Sequence, residues 1–257
     1  MRKDRIRIIA GTSLILFLFF SIFTQITAAK YEEQPDAVTA SNPWLPAVTA
    51  KASRDGEVED KIKRIALTFD DGPHAEYTPA LLDLLKKYNV HATFFVVGTN
   101  VSMYPEIVQR EISEGHEIGN HTNTHPCAIN RLDEKTLKKE LLDAENAIYE
   151  VADYRPHLFR PPCGLQSIAI SNLVEDMDYK LILWSIDTLD WNKKTSLQYV
   201  LNTVRKNIKD GSIILCHDYV VREKSVTIEA LDILIPELLS QGYEFVLASE
   251  LTDCVQN

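Results

Sequence analysis

"RIALTFDDGPH" (residues 64–74) carries an apolar run, Ile65 to Phe69, straight into two carboxylates and a Gly-Pro turn. The run does not alternate apolar with polar, so a strand built from it is covered on both faces, as strands of parallel sheets are. Gly72-Pro73 ends it. A turn accounts for Asp-Gly-Pro but leaves the second aspartate without a reason. Adjacent side chains on an extended backbone point in opposite directions, so Asp70 and Asp71 are set for different tasks.

The pattern repeats along the chain. "ATFFVV", "HEIG", "HLF", "KLILWSI", "SIILC" and "YEFVLA" follow in turn, with helical periodicity between them. Thr78-Pro79 caps and opens a helix carrying Leu81, Leu82, Leu84, Leu85 and Tyr88. Asp133 opens another, with Leu137, Leu141, Leu142, Ile148 and Val151 on one face. A third spans about 227–241, stops at Gly242 and contains Pro236, which is placed to kink it. Strand–helix alternation predicts an α/β fold: a distorted parallel (β/α) barrel of about seven strands in one catalytic domain. An open doubly wound sheet is the alternative. No glycine-rich phosphate loop follows the first run, which weighs against a nucleotide-binding version.

Polar residues follow the apolar runs. Asp70 and Asp71 end the first, His121 and His125 follow "HEIGN", and Arg160 follows "HLF". Asp187 and Asp190 come after "KLILWSI", and His217 after "SIILC". Ligands of α/β folds gather at the carboxyl ends of the strands, so five such clusters point to one site. In "HTNTH", His121 and His125 stand four apart; on a helical turn both imidazoles face one metal. Two solvated surface histidines are the plain alternative. Two histidines plus a carboxylate form a common catalytic zinc set with a position left for water. No glutamate lies between the histidines, so a general base must come from elsewhere. His74 reads as a turn residue, and His91, His116 and His157 as loop or core histidines near strand starts.

The chain has 257 residues, 45% of them hydrophobic, and a formal charge of −10. Residues 1–29 combine a basic start, an apolar run from Ile8 to about Phe23 and the small residues Thr27-Ala28-Ala29. That order predicts a secretory signal, or an N-terminal membrane anchor where it is not cleaved. Residues 30–61 read as a flexible linker and 62–257 as the folded domain. Localisation is therefore expected to be secreted or cell-surface, with membrane contact only through the N-terminus. An acidic exported chain is a poor partner for nucleic acid, whose phosphates call for excess Lys and Arg. Cys127, Cys163, Cys216 and Cys254 allow three pairings, and no CxxC spacing supports a thiolate zinc site.

"TFDDGP", "HTNTH", "RPPCG", "DTLDW" and "LCH", in this order, resemble the five motifs of the polysaccharide deacetylases, also called the NodB-homology domain or carbohydrate esterase family 4. The likeness runs from about Ile65 to Leu251. It implies a hydrolase that removes N-acetyl groups from N-acetylglucosamine residues of a cell-wall polysaccharide, with peptidoglycan the first candidate. Chitooligosaccharides and acetylated xylan are the alternatives within the family, and a glycan-binding wall protein is the non-enzymatic one. The resemblance makes Asp70 the general base, Arg160 its holder, His217 the general acid and Asp190 the support of that acid. It makes Asp71, His121 and His125 the ligands of a divalent metal, zinc first and cobalt second. Trp191 and Leu215 would line the acetyl pocket. Cys163 stands where the family usually has tyrosine, and its backbone N–H would help hold the oxyanion. A Cys127–Cys163 disulfide would brace both motifs.

Overall fold

The structure, a computed structural model, describes residues 62–219 and 226–253. The predicted signal segment, the linker and Cys254 lie outside the described residues. Strand β1 (Lys63–Asp70) forms the axis of a parallel sheet. The path runs β5 (Lys180–Leu181), β4 (Leu158–Phe159), β3 (Glu117–Asn120), β2 (Thr93–Val96), β1, β7 (Ile213–His217), β6 (Ile186–Asp187). An eighth strand, β8 (Tyr243–Phe245), pairs with the first residues of β1. The sheet is the distorted parallel barrel that the alternation predicts, curled rather than closed by a full ring of ladders.

Because every pairing is parallel, the carboxyl ends of the strands share one end of the sheet. Register then decides who meets whom. Asp70 is level with Phe95 on β2 and with His217 on β7. Asn120 is level with Phe159, which brings His121 and Arg160 out side by side.

"KLILWSI" reads as one strand in the sequence but forms two short ones, β5 and β6. The reason lies in two prolines and a buried cation. Arg160 donates from Nε to the Ile182 carbonyl and from Nη2 to the Leu183 carbonyl, each at 3.3 Å. On the β4 side Pro161 and Pro162 have no N–H to continue the β4–β5 ladder, so these carbonyls are left to the guanidinium. Past them the Ser185 N–H turns to the Ile213 carbonyl at 3.0 Å, so the segment crosses from one end of the sheet path to the other.

Helices α1 (Tyr77–Tyr88), α2 (Gly98–Met103), α3 (Pro105–Ser113), α4 (Glu134–Ala152), α5 (Ile168–Asp176), α6 (Leu197–Asn207), α7 (Val226–Ser240) and α8 (Ala248–Asp253) occupy the connections. Asp133 caps α4 as predicted, accepting the Thr136 N–H at 2.7 Å. Helix α1 departs from expectation: Thr78 lies inside its first turn. His74 meets the turn's donors instead, its Nδ1 accepting the N–H groups of Glu76 at 3.1 Å and Tyr77 at 3.3 Å. Pro236 sits within the span of α7, and Gly242, at φ +79°, follows the helix in the left-handed region that glycine adopts without strain.

The core explains the apolar run of β1. Ile65, Leu67 and Phe69 belong to the main cluster under the helices, where Phe69 stacks on Phe94 at 4.9 Å. Ala66 faces the other way into a second cluster with Phe95 and Val246. Each large side chain buried this way stabilises the fold by about 1.5–3 kcal/mol, which makes β1 a rigid mount for the residues at its end.

Candidate active site

Asp70 is the last residue of β1, buried beside the guanidinium of Arg160, whose Nη1 lies 2.6 Å from Asp70 Oδ1. The same Nη1 donates to Thr68 Oγ1 at 2.9 Å, and the guanidinium lies over the Phe95 ring at 4.0 Å. Burial lowers the Arg160 pKa while Asp70 opposes that shift. A fully buried cation held on four hydrogen-bond acceptors and an aromatic face has one orientation, and it imposes one on Asp70.

Asp71 turns away. Its φ of +79° puts it in the left-handed region directly after the strand. Asn100 Nδ2 donates to the Asp71 carbonyl at 2.8 Å. The next residue must be glycine, because a Cβ on Gly72 would fall 1.9 Å from Asp218 Oδ2.

His121 and His125 face Asp71, though not from a helix. The expected helical turn is replaced by a loop in which Thr122 (φ +69°) and His125 (φ +51°) are left-handed, and the rings still meet at 5.0 Å between centroids. Side chains take over the hydrogen bonding that a helix would supply. Thr122 Oγ1 accepts the His125 N–H at 3.1 Å, and Glu140 Oε2 accepts those of Asn123 and Thr124 at 3.0 and 2.8 Å.

His121 Nδ1 lies 2.7 Å from the Arg160 carbonyl, which can only accept, so this nitrogen carries a hydrogen. Its Nε2 is buried without a hydrogen-bond partner, 3.4 Å from Asp71 Oδ1 and 3.8 Å from Asp70 Oδ2. His125 Nε2 lies 3.2 Å from Asp71 Oδ1. One ligand atom from each of Asp71, His121 and His125 falls within 4.8 Å of the others. Burial works to raise the Asp71 pKa, but the neighbouring imidazoles of His121, His217 and His125 outweigh it and hold it at about 2. Burial works against charge on His121, yet Asp70 and Asp71 raise its pKa. The cluster calls for positive charge at an orphaned buried nitrogen, and a divalent cation supplies it. The three residues fit a metal.

On the other side of Asp70, the backbone N–H of His217 donates to Asp190 Oδ2 at 2.8 Å and its ring Nδ1 meets Asp190 Oδ1 at 2.7 Å. Thr227 Oγ1 donates to Asp190 Oδ2 at 2.6 Å. Burial pulls the His217 pKa down, but Asp190, followed by Asp71 and Asp70, pushes it up to about 9. With Nδ1 engaged, Nε2 is the ring nitrogen left to exchange a proton. Asp187, the other acid after "KLILWSI", closes a local turn by accepting the Leu189 N–H at 2.8 Å.

The rim residues are spread more widely. Cys163 sits in a single helical turn, Pro162–Gly164, at φ +57°, and burial, helped by the neighbouring Cys127 thiol, pushes its pKa up to about 12. No disulfide joins them in the structure. Trp191, beside Asp190, is half-exposed, and Leu215 is buried in β7 opposite Thr68 and Asp187.

Three supports escaped the sequence reading. Thr68 had a signal, as the one polar residue between Ile65 and Phe69. Asp218 had adjacency to His217: it is buried, accepts from Thr78 Oγ1 at 2.6 Å, and burial pushes its pKa up to about 7. Thr227, on α7, had none.

Comparison with known proteins agrees with this arrangement. The polysaccharide deacetylase family profile matches residues 57–182. A Bacillus cereus peptidoglycan-N-acetylglucosamine deacetylase is 44% identical over 197 residues, 76% of this chain and 91% of that one. A Bacillus subtilis peptidoglycan-N-acetylmuramic acid deacetylase is 40% identical over 203 residues, 78% of this chain; being longer, it is matched over only 41% of its own length. Among solved structures, a family 4 acetyl xylan esterase from Clostridium thermocellum in complex with cobalt superposes with a TM-score of 0.69 at 39% identity, covering 75% of this chain and 91% of the other. With the motifs, the sheet and the buried charge pairs all in agreement, the chain belongs to the polysaccharide deacetylase family.

Proposed function

We propose that the protein is a metal-dependent N-deacetylase of the N-acetylglucosamine residues of peptidoglycan, exported by residues 1–29 and tethered by residues 30–61. The observation that carries the reading is the orphaned Nε2 of His121, aimed at two carboxylates beside a second imidazole. The N-acetylglucosamine relative, matched over nearly its whole length, supports the choice of sugar.

Asp71, His121 and His125 would hold the metal, and zinc best matches two imidazoles and a carboxylate. When bound, it supplies Lewis acidity to the acetamide carbonyl and to the attacking water. Asp70 takes the water's proton, its Oδ1 pinned by Arg160 so that Oδ2 faces the reaction. The Cys163 backbone N–H donates to the oxyanion as it develops; the swap from tyrosine leaves this main-chain donor in place. His217 protonates the departing amine, and without that step the amine would be a poor leaving group. Trp191 and Leu215 would bracket the acetyl methyl group.

The acetyl xylan esterase neighbour favours a second reading, de-O-acetylation of xylan at the same site. The two readings separate by mass spectrometry of peptidoglycan fragments, chitooligosaccharides and acetylated xylan after incubation with the full chain. Chelation is expected to abolish turnover and zinc or cobalt to restore it. Asp71→Asn should lose metal, whereas Asp70→Asn should keep it and lose about 10²-fold or more in kcat. Equal metal loss in both variants would overturn the division of labour between the aspartates. Full activity in metal-free protein would overturn the mechanism.

A further inference from the structure

We propose that Trp184 is a positioning residue for the reaction: its indole holds the base's support and the turn of the oxyanion donor in one fixed relation. The proposal rests on the roles given above to Asp70, Arg160 and Cys163. Trp184 is half-buried and stands where "KLILWSI" breaks between β5 and β6. Its ring lies 5.6 Å from the guanidinium carbon of Arg160, which also meets the Phe95 ring at 4.0 Å. A Cβ on Gly164 would fall 2.6 Å from Trp184 Cη2, so the far edge of the indole rests against the backbone of that glycine. Gly164 is the residue directly after Cys163.

Main-chain bonds on both sides fix where the indole starts. The Leu183 carbonyl accepts from Arg160 Nη2 at 3.3 Å, and the Ser185 N–H donates to the Ile213 carbonyl at 3.0 Å. Trp184 is thus tied through one neighbour to the buried cation and through the other to β7. Among the described residues it is not one of the side chains that build or pack on the three apolar clusters of the core. The contacts that place its ring are with Arg160 and Gly164.

Those two partners serve the same step from different sides. Arg160 pins Asp70 Oδ1 at 2.6 Å, and the Cys163 N–H has to point at the oxyanion as it develops. Between Arg160 and Cys163 stand Pro161 and Pro162, which have no N–H with which to anchor the turn. The N–H groups of Gly164 and Leu165 bond back to the carbonyls of those prolines at 3.0 and 3.3 Å, so the turn closes on itself. The indole adds a contact from outside the turn, on a rigid ring that also lies beside the guanidinium. A shift of the turn by about 1 Å is enough to cost an aligned donor much of its effect.

The full chain, loaded with zinc, is assayed on chitotetraose, and hydrogen exchange of the Cys163, Gly164 and Leu165 amides is followed by mass spectrometry. Trp184→Leu should lower kcat about 10- to 100-fold with KM within about twofold, and should speed exchange at those amides. Gly164→Ala should also lower kcat, but by less in a Trp184→Phe background, where the shorter ring leaves room for the methyl group. The strain of alanine at φ +64° is common to both backgrounds and cancels from that comparison. Equal losses in the two backgrounds, a loss confined to KM, or a lower Tm with kcat unchanged would overturn the proposal. Exchange is read without turnover, so it separates this proposal from the activity itself. An inactive wild type would sink the proposed function, while faster exchange in Trp184→Leu would still show the indole holding the turn. Unchanged exchange in that variant would overturn the contact.

Discussion

Two buried charge pairs flank the site, and they are built in opposite senses. In Arg160–Asp70, at 2.6 Å, the carboxylate is the proposed working group and the cation its support. In His217–Asp190, at 2.7 Å, the imidazole works and the carboxylate supports. A guanidinium favours a proton acceptor beside it; a carboxylate favours a donor. The supports also differ in how they are held. Arg160 spreads its donors over Thr68, Asp70, Ile182 and Leu183. Asp190 gathers three donors, two of them from His217 itself. Arg160 is thus part of the barrel's construction, whereas Asp190 is more nearly private to the histidine it serves.

That contrast predicts unequal damage. Arg160→Met should be the most severe change, because it strips a buried carboxylate of its cation and frees the Ile182–Leu183 carbonyls. The expected loss of stability is about 3–5 kcal/mol, read by denaturant unfolding. A stability near wild type would mean that the pair is not structural.

Asp190→Asn should come next, with its effect in rate and pH dependence more than in stability. Burial works against the charge, but Asp190 leads the groups that raise His217 from 6.5 to about 9. The protonated acid is present below that value, so turnover should fall as pH rises through about 9. Removing the carboxylate should move this alkaline limb toward neutrality and lower kcat. Linkage runs the same way: a raised pKa contributes stability that is complete below 6.5 and lost as pH climbs through about 9. The variant should show less of that loss. An unmoved limb would show that Asp190 does not set the acid's charge.

Thr227→Val should be the mildest. It removes one donor to Asp190 and leaves the two from His217, so about 1 kcal/mol and a few-fold in kcat are expected, measured by unfolding and steady-state kinetics. A loss as large as that of Asp190→Asn would make Thr227 a partner rather than a brace.

Much of this site is legible in the chain because strand ends announce themselves. Most of the apolar runs stop at a polar residue, and parallel order delivers those residues to one end. Asp70, Asp71, His121, His125, Arg160, Asp190 and His217 could all be named that way and by the likeness of their motifs. Roles that depend on distance could not. Asp187 and Asp190 follow the same run, yet one closes a turn while the other is buried against an imidazole. Thr227 lies on a helix far along the chain and carries no mark of its contact with Asp190.

By its own pattern the sequence determines the alternation of strand and helix, the burial of β1 on both faces and the chemical inventory of the site, because these depend on neighbours a few residues apart. Only the tertiary structure decides that "KLILWSI" breaks in two, that the histidines meet through a left-handed loop and that His74 rather than Thr78 meets the first donors of α1. Each of those outcomes turns on competition for hydrogen-bond partners. Arg160 claims carbonyls from a strand that follows it, Glu140 claims amides from the histidine loop, and Thr78 is drawn away to Asp218. Such competitors are distant in sequence and adjacent in space, so no local pattern records which of them wins.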